Sequence, residues 1–169
     1  MNIKIAKTNE GVYYDERSAG GLVYKIENGK IFWLLIETVV SNRSEKKTTK
    51  GNKSVYKFPK GHLQNDEFLK QTALREVEEE GRVKAKIVTK LGSNDYIIWD
   101  KIGRKKIIKK VTFFLMEYLT QSNLKYYDNE MVLKREWFSY EEALEKLAFD
   151  SEKMLLKKAK LKLDGLLKI

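Results

Sequence analysis

The sequence predicts an α/β fold of the α+β kind, in which a mixed β-sheet is flanked by helices on both faces as an α/β/α sandwich. Two observations carry this expectation. Apolar runs rich in β-branched and aromatic residues are joined by short turn signals, as in hairpins, rather than by regularly spaced crossovers. A few segments of helix formers are interleaved with them, within 169 residues of which 42% are hydrophobic, enough for one shared core. We therefore expect one domain over residues 1–169.

Taken in order, "AGGLVYKI" and "KIFWLLIETVV" read as two strands separated by the turn signal Glu27-Asn28-Gly29. The polar, basic stretch "SNRSEKKTTKGNKS" has no apolar periodicity and reads as a loop over 41–54. "VYKF" reads as a short strand ended by Pro59, the only proline. Residues 67–80 are helix formers throughout, with Asp66 or Asn65 as the N-cap. Two long strands follow, "KAKIVTKLGSNDYIIW" and "KKIIKKVTFFLMEYL", and then a shorter one, "KREWFS". Ser139 stands three residues before Glu142, which is the spacing of a capping box and starts a helix. Asp150 caps a C-terminal helix over 150–168, where Leu155, Ala159, Leu163 and Leu166 fall at helical spacing.

Composition narrows the chemistry. With no cysteine, neither a thiolate nucleophile nor a cysteine metal site is available, and no disulfide framework exists. No apolar run reaches the roughly 18–20 residues that span a bilayer, and the first residues lack the apolar core of a secretory leader, so a cytoplasmic protein is expected. The net charge of +10 favours polyanionic partners, although lysines outnumber arginines 28 to 6, and lysine-rich surfaces also serve plain solubility.

The segment "FPKGHLQNDEFLKQTALREVEEEGRV" raises a question of electrostatics. At 100° per residue, Glu79 lies about 60° to one side of Glu76 and Glu80 about 40° to the other, so the three carboxylates share one helix face while Glu78 points away. Like charges at this spacing destabilise a helix by about 0.2–0.5 kcal/mol per pair, and near the C-terminus they also oppose the macrodipole. Something must offset the repulsion. One answer is salt bridging to Arg75, Arg82 and Lys84. The other is a hard divalent cation, for which clustered carboxylates are suitable oxygen ligands.

The spacing Gly61, Glu67, then Arg75-Glu76-Val77-Glu78-Glu79-Glu80 resembles the Nudix box, G-x5-E-x7-R-E-U-x-E-E-x-G-U, where U is aliphatic. "SAGGLVYK", "FPKGH" and "REWFSYEEALEKLAF" resemble the family's opening strand, box entry and closing strand and helix. The pattern departs at two places: Arg82 stands at the second glycine position with Gly81 one residue early, and "QNDE" replaces the more usual glycine before Glu67. We expect Gly81 to take over the left-handed helix exit.

The resemblance implies hydrolysis of a phosphoanhydride bond in a nucleoside diphosphate linked to another group, with Mg2+ or Mn2+ held by Glu76, Glu79, Glu80 and the carbonyl of Gly61. It implies that Glu67 and Arg75 orient the box rather than react. Glu79, Glu80 and the later residue Glu130 all remain open as the general base. For the substrate, Lys60 and Lys57 at the box entry, Lys110 on a strand and Tyr126 in a polar loop are the candidates. Lys57 reads equally well as a solvated lysine, and His62 as a loop residue. The expected substrate is a dinucleoside polyphosphate such as diadenosine tetraphosphate. The alternatives are RNA 5′-pyrophosphohydrolysis, favoured by the charge, and a nucleotide- or RNA-binding domain without catalysis. A monomer or homodimer is expected.

Overall fold

The computed structural model of the protein describes residues 16–39, 53–100, 105–125 and 132–168. Tyr126, Glu130 and most of the basic stretch lie outside them. The first two strands, β1 (Glu16–Glu27) and β2 (Lys30–Val39), form the expected hairpin, and Asn28 and Gly29 both have positive φ at its turn. This is the backbone that matches the strand twist and that an Asn-Gly pair adopts at least cost.

β3 (Ser54–Lys57) adds to β2, and the three-residue β4 (Lys60–His62) adds to β1, a strand not foreseen from the sequence. After helix α1 (Leu69–Gly81), the long antiparallel pair β5 (Val83–Asp100) and β6 (Lys105–Gln121) returns to the sheet, with β6 parallel to β1. β7 (Val132–Phe138) pairs with β2, and α2 (Tyr140–Lys146) and α3 (Asp150–Leu167) close the chain. The sheet is therefore mixed, as expected, in the order β3-β2-β1-β6-β5.

Alternation along β1 divides the interior. Ala19 and Val23 meet Ala73 and Val77 of α1, whereas Leu22 and Tyr24 meet Leu155, Leu156, Ala159 and Leu163 of α3 and Ala143 of α2. Helices thus cover both faces. Each of the large buried side chains, such as Phe58 and Phe113, contributes about 2–3 kcal/mol by leaving water. Leu166, placed on the apolar stripe of the last helix by spacing alone, is exposed instead.

The helix termini differ from expectation in instructive ways. α1 starts at Leu69 with Phe68 as N-cap, and Gln71 reaches back to the Phe68 N–H at 2.8 Å. Asp66 is unavailable as a cap because it occupies a left-handed turn, at φ 66°. α3 likewise begins with Asp150 inside the helix and Phe149 as N-cap. The predicted capping box of α2, Ser139 with Glu142, is present.

The exit of α1 also departs from expectation, since Gly81 remains helical and Arg82 takes the left-handed position, at φ 57° and ψ 33°. A Cβ there costs about 1–2 kcal/mol. The offset is visible in the contacts: the Arg82 N–H donates to the Glu78 carbonyl, its own carbonyl accepts from Ser122 N, and its guanidinium donates to the Leu124 carbonyl. Arg82→Ala, which keeps the strain and loses the guanidinium contact, should cost about 1–2 kcal/mol, whereas Arg82→Gly should stay within about 0.5 kcal/mol of the parent. Chemical denaturation of the two variants checks this ordering.

Candidate active site

The site is organised by Arg75. Its Nε and Nη2 grip both oxygens of Glu67 at 2.6 and 3.0 Å, its Nη1 donates to Glu76 at 2.7 Å and Glu79 at 3.0 Å, and Nη2 also donates to the His62 carbonyl at 2.9 Å. All five guanidinium N–H groups are thereby used, and the loop before α1 is locked to the helix. Glu67 additionally accepts from Gln64 N and Thr72 Oγ1. Its hydrogen bond from Arg75, helped by Gln64 and Thr72 against the opposing effect of burial, lowers its pKa from 4.5 to about 2.

That shift has a pH consequence. Because the folded-state pKa lies below the unfolded one, the stabilisation is fully present above pH 4.5 and is lost as pH falls through about 2. We expect the unfolding free energy of the parent to drop over this window by about 2–3 kcal/mol more than that of Glu67→Gln. Urea titrations of the two proteins at stepped pH measure the difference.

The carboxylate row lies where helical geometry puts it. Glu76 is 7% exposed and Glu80 1% exposed, and Glu79 is the more open of the three. Glu76 stands against Gly61, which pairs with Ala19 on β1. Glu80 Oε2 accepts the Lys60 main-chain N–H at 2.8 Å, and the Glu80 carbonyl accepts Arg135 Nε at 2.6 Å. Glu78, pointing away as predicted, accepts from Ser122 Oγ. Salt bridging thus offsets part of the repulsion, though not with the full set of partners foreseen, since Lys84 approaches Glu78 and Arg82 turns to Leu124.

Among the described residues, no group of three or more histidine, aspartate or glutamate side chains stands close enough together to hold a metal ion. The three box carboxylates share a helix face, but Glu76 and Glu79 are turned to Arg75 and Glu80 to the Lys60 amide. Their chemistry nonetheless fits a hard cation. They are oxygen donors, two of them buried, beside a glycine where an added Cβ would fall 2.2 Å from the Glu76 carboxylate carbon.

The lysines fall on both faces. Lys57 is not a solvated lysine; it is buried and pairs across β2 with Ile36, which itself pairs with Arg135, so these three form one cross-strand row. Lys110 pairs with Arg17 and Asp95, one step along from Ala19 on the α1 side of the sheet. Lys109 alternates to the other side, 3.3 Å from His62 Nε2. His62 lies on β4 rather than in a loop, with Nε2 3.2 Å from Glu16.

On the α3 side of the sheet a cleft of about 440 Å3 opens between Lys60, Asp95, Tyr96, Ile98, Lys109 and Phe149. The Lys60 ammonium reaches Glu152 of α3 at 3.2 Å and lies 6.0 Å from the centre of the Phe149 ring. Burial works to lower the Lys60 pKa, but Glu152 and the other groups around it, Glu80 among them, together outweigh it, so the ammonium form is favoured. Sequence reasoning missed Glu152, Arg135, Tyr96 and Phe149. A glutamate in an amphipathic helix carries no signal of burial, and the partners of Glu152 and Arg135 lie 92 and 55 residues away.

A family model described as NUDIX domain matches residues 17–157. A curated protein of Mycobacterium tuberculosis bearing the mutator name MutT4 is 33% identical over 116 residues, covering 66% of this chain and 45% of its own length. The chain therefore spans less than half of that relative. An Ap4A hydrolase of C. elegans, solved as a binary complex, superposes with a TM-score of 0.61 at 22% identity, covering 89% of this chain and 98% of that one. A mutT/nudix family protein of Listeria innocua superposes with a TM-score of 0.58 at 25% identity, covering 92% and 98%. No helix among the described residues is long and apolar enough to cross a membrane.

Proposed function

Because this chain belongs to the NUDIX family, we propose that it is a divalent-metal-dependent pyrophosphohydrolase of nucleoside diphosphate-linked compounds, drawing on the cytoplasmic nucleotide pool, with a dinucleoside polyphosphate such as diadenosine tetraphosphate as its preferred substrate. One observation carries this reading. Lys60 gives its main-chain N–H to a box carboxylate, Glu80, while its side chain lines the cleft on the far side of the sheet, so the acidic row and the cationic cleft meet at one residue.

Glu76, Glu79, Glu80 and the Gly61 carbonyl would hold a Mg2+ or Mn2+ ion, which would supply neutralisation of phosphate charge and a more acidic water. The protein's own groups do the rest. Lys60 and Lys109 draw polyphosphate to the cleft, while Tyr96 and Phe149 offer aromatic surface to a base. Lys57 and Lys110 add positive charge on the α1 side. Glu79, the most open of the three box carboxylates, takes a proton from the attacking water as its oxygen bonds to phosphorus, and the anhydride oxygen leaves with the other phosphate. Arg75 and Glu67 hold the frame.

The test is a turnover screen with Mg2+ or Mn2+ against diadenosine polyphosphates, nucleoside triphosphates, nucleotide sugars, diphosphoinositol polyphosphates and 5′-triphosphorylated RNA, with products identified. Fastest turnover of a dinucleoside polyphosphate supports the proposal. The +10 charge favours RNA as the second reading. Preferential turnover of the RNA, with a salt slope growing by about 0.7 per phosphate contact, would replace the first reading with the second.

A further inference from the structure

Glu152 is the most deeply buried acidic side chain among the described residues, at 0% exposure in the first turn of α3. Taking a carboxylate out of water costs several kcal/mol unless charge and hydrogen bonds compensate, and a side chain needed only for packing would be better apolar. Both Glu152 oxygens are committed to the segment that enters the box: Oε2 accepts the Phe58 N–H at 3.1 Å, and Oε1 accepts Lys60 Nζ at 3.2 Å. The start of a helix also favours an anion. Two residues of the box entry are thus tied to a helix residue 94 and 92 positions later, and one of them carries the amide that binds Glu80.

We propose that Glu152 is a positioning residue for the substrate polyphosphate: it fixes the entry segment between β3 and β4 through Phe58 and holds the Lys60 ammonium at the cleft. Phe149, in the turn before α3, sets its ring over the same ammonium, so the end of α3 frames Lys60 from two directions. Without Glu152 the lysine still has one anion to follow, the Glu80 carboxylate, which also acts on it electrostatically. An ammonium drawn toward Glu80 leaves the cleft and joins the carboxylate row. Glu152 therefore sets which side of the sheet Lys60 serves. The inference rests on the pyrophosphohydrolase reading of the site.

A double-mutant cycle of Lys60→Met and Glu152→Gln tests it, with ADP affinity measured calorimetrically in Mg2+ and kcat and KM measured on the best substrate of the screen. The glutamine keeps an acceptor for the Phe58 N–H and, with its NH2 then turned to the ammonium, removes both the charge and the acceptor that hold Lys60. Each single change should weaken ADP binding about tenfold, the worth of one charge-assisted hydrogen bond, with most of the kinetic loss in KM. The double variant should bind no worse than Lys60→Met alone. Additive losses, or parental ADP affinity in Glu152→Gln, overturn the proposal. Should Glu152→Gln fail to fold, Glu152→Asp takes its place in the same cycle, with non-additivity again expected and additivity again fatal. A parent protein that neither binds ADP nor turns over any nucleotide removes the functional reading and this inference together, whereas an active parent with an additive cycle removes the inference alone.

Discussion

Glu79→Gln and Glu80→Gln are each expected to lower kcat/KM by about a hundredfold or more, since each takes an anionic oxygen ligand from the divalent cation that would neutralise the phosphate oxygens. The fold should tolerate both. In Glu80→Gln the side-chain amide still offers a carbonyl oxygen to the Lys60 N–H, and residue 79 is partly open, where Glu79 makes one contact to an Arg75 that keeps four others. Stability should change by about 1 kcal/mol or less in the absence of divalent cation. The separating measurement is thermal unfolding with and without Mg2+. A cation bound only by the folded protein raises the midpoint of the parent by mass action, and that rise should shrink sharply in both variants. Parental turnover at saturating Mg2+ in both proteins would remove these residues from the metal assignment.

What the sequence revealed and what it concealed follow from the range of the interactions. The Asn28-Gly29 hairpin, the Ser139 and Glu142 capping box and the shared face of Glu76, Glu79 and Glu80 all depend on residues at most four apart, so spacing alone exposes them. Arg75 was legible as a frame residue through the family pattern, but its bond to the His62 carbonyl was not. The burial of Lys57 and Glu152 was hidden for a different reason. Each is a charged residue in a segment whose periodicity looks ordinary, and only the packing of distant strands and helices supplies what offsets the desolvation. Arg82 shows local preference overruled. A glycine was available one residue earlier, yet the left-handed position fell to arginine, whose main-chain and guanidinium contacts tie the helix exit to the segment after β6.

Gly61→Ala is expected to abolish metal-dependent turnover while leaving a folded protein, and Gly20→Ala to fail at the folding step. The two glycines pair with neighbouring residues across β1 and β4, and a Cβ at either would stand 2.2 Å from another atom. The difference lies in what each meets. At Gly20 the obstacle is the Pro59 carbonyl oxygen, followed by the Lys60 Cβ, and these cannot retreat without moving β4 and breaking the Gly21 N–H bond to the same carbonyl. Overpacking against main chain costs about 1–3 kcal/mol or more, a large share of a small domain's stability. At Gly61 the obstacle is the carboxylate end of Glu76, which can rotate aside. Its departure breaks the 2.7 Å bond to Arg75 Nη1 and carries the carboxylate away from the Gly61 carbonyl, so the cost falls on the site more than on the fold. Circular dichroism should show native structure for Gly61→Ala, with kcat/KM lowered to the level of Glu76→Gln and no rise in unfolding midpoint on adding Mg2+. A folded Gly61→Ala protein with parental turnover would show that Glu76 does not need its seat against this glycine.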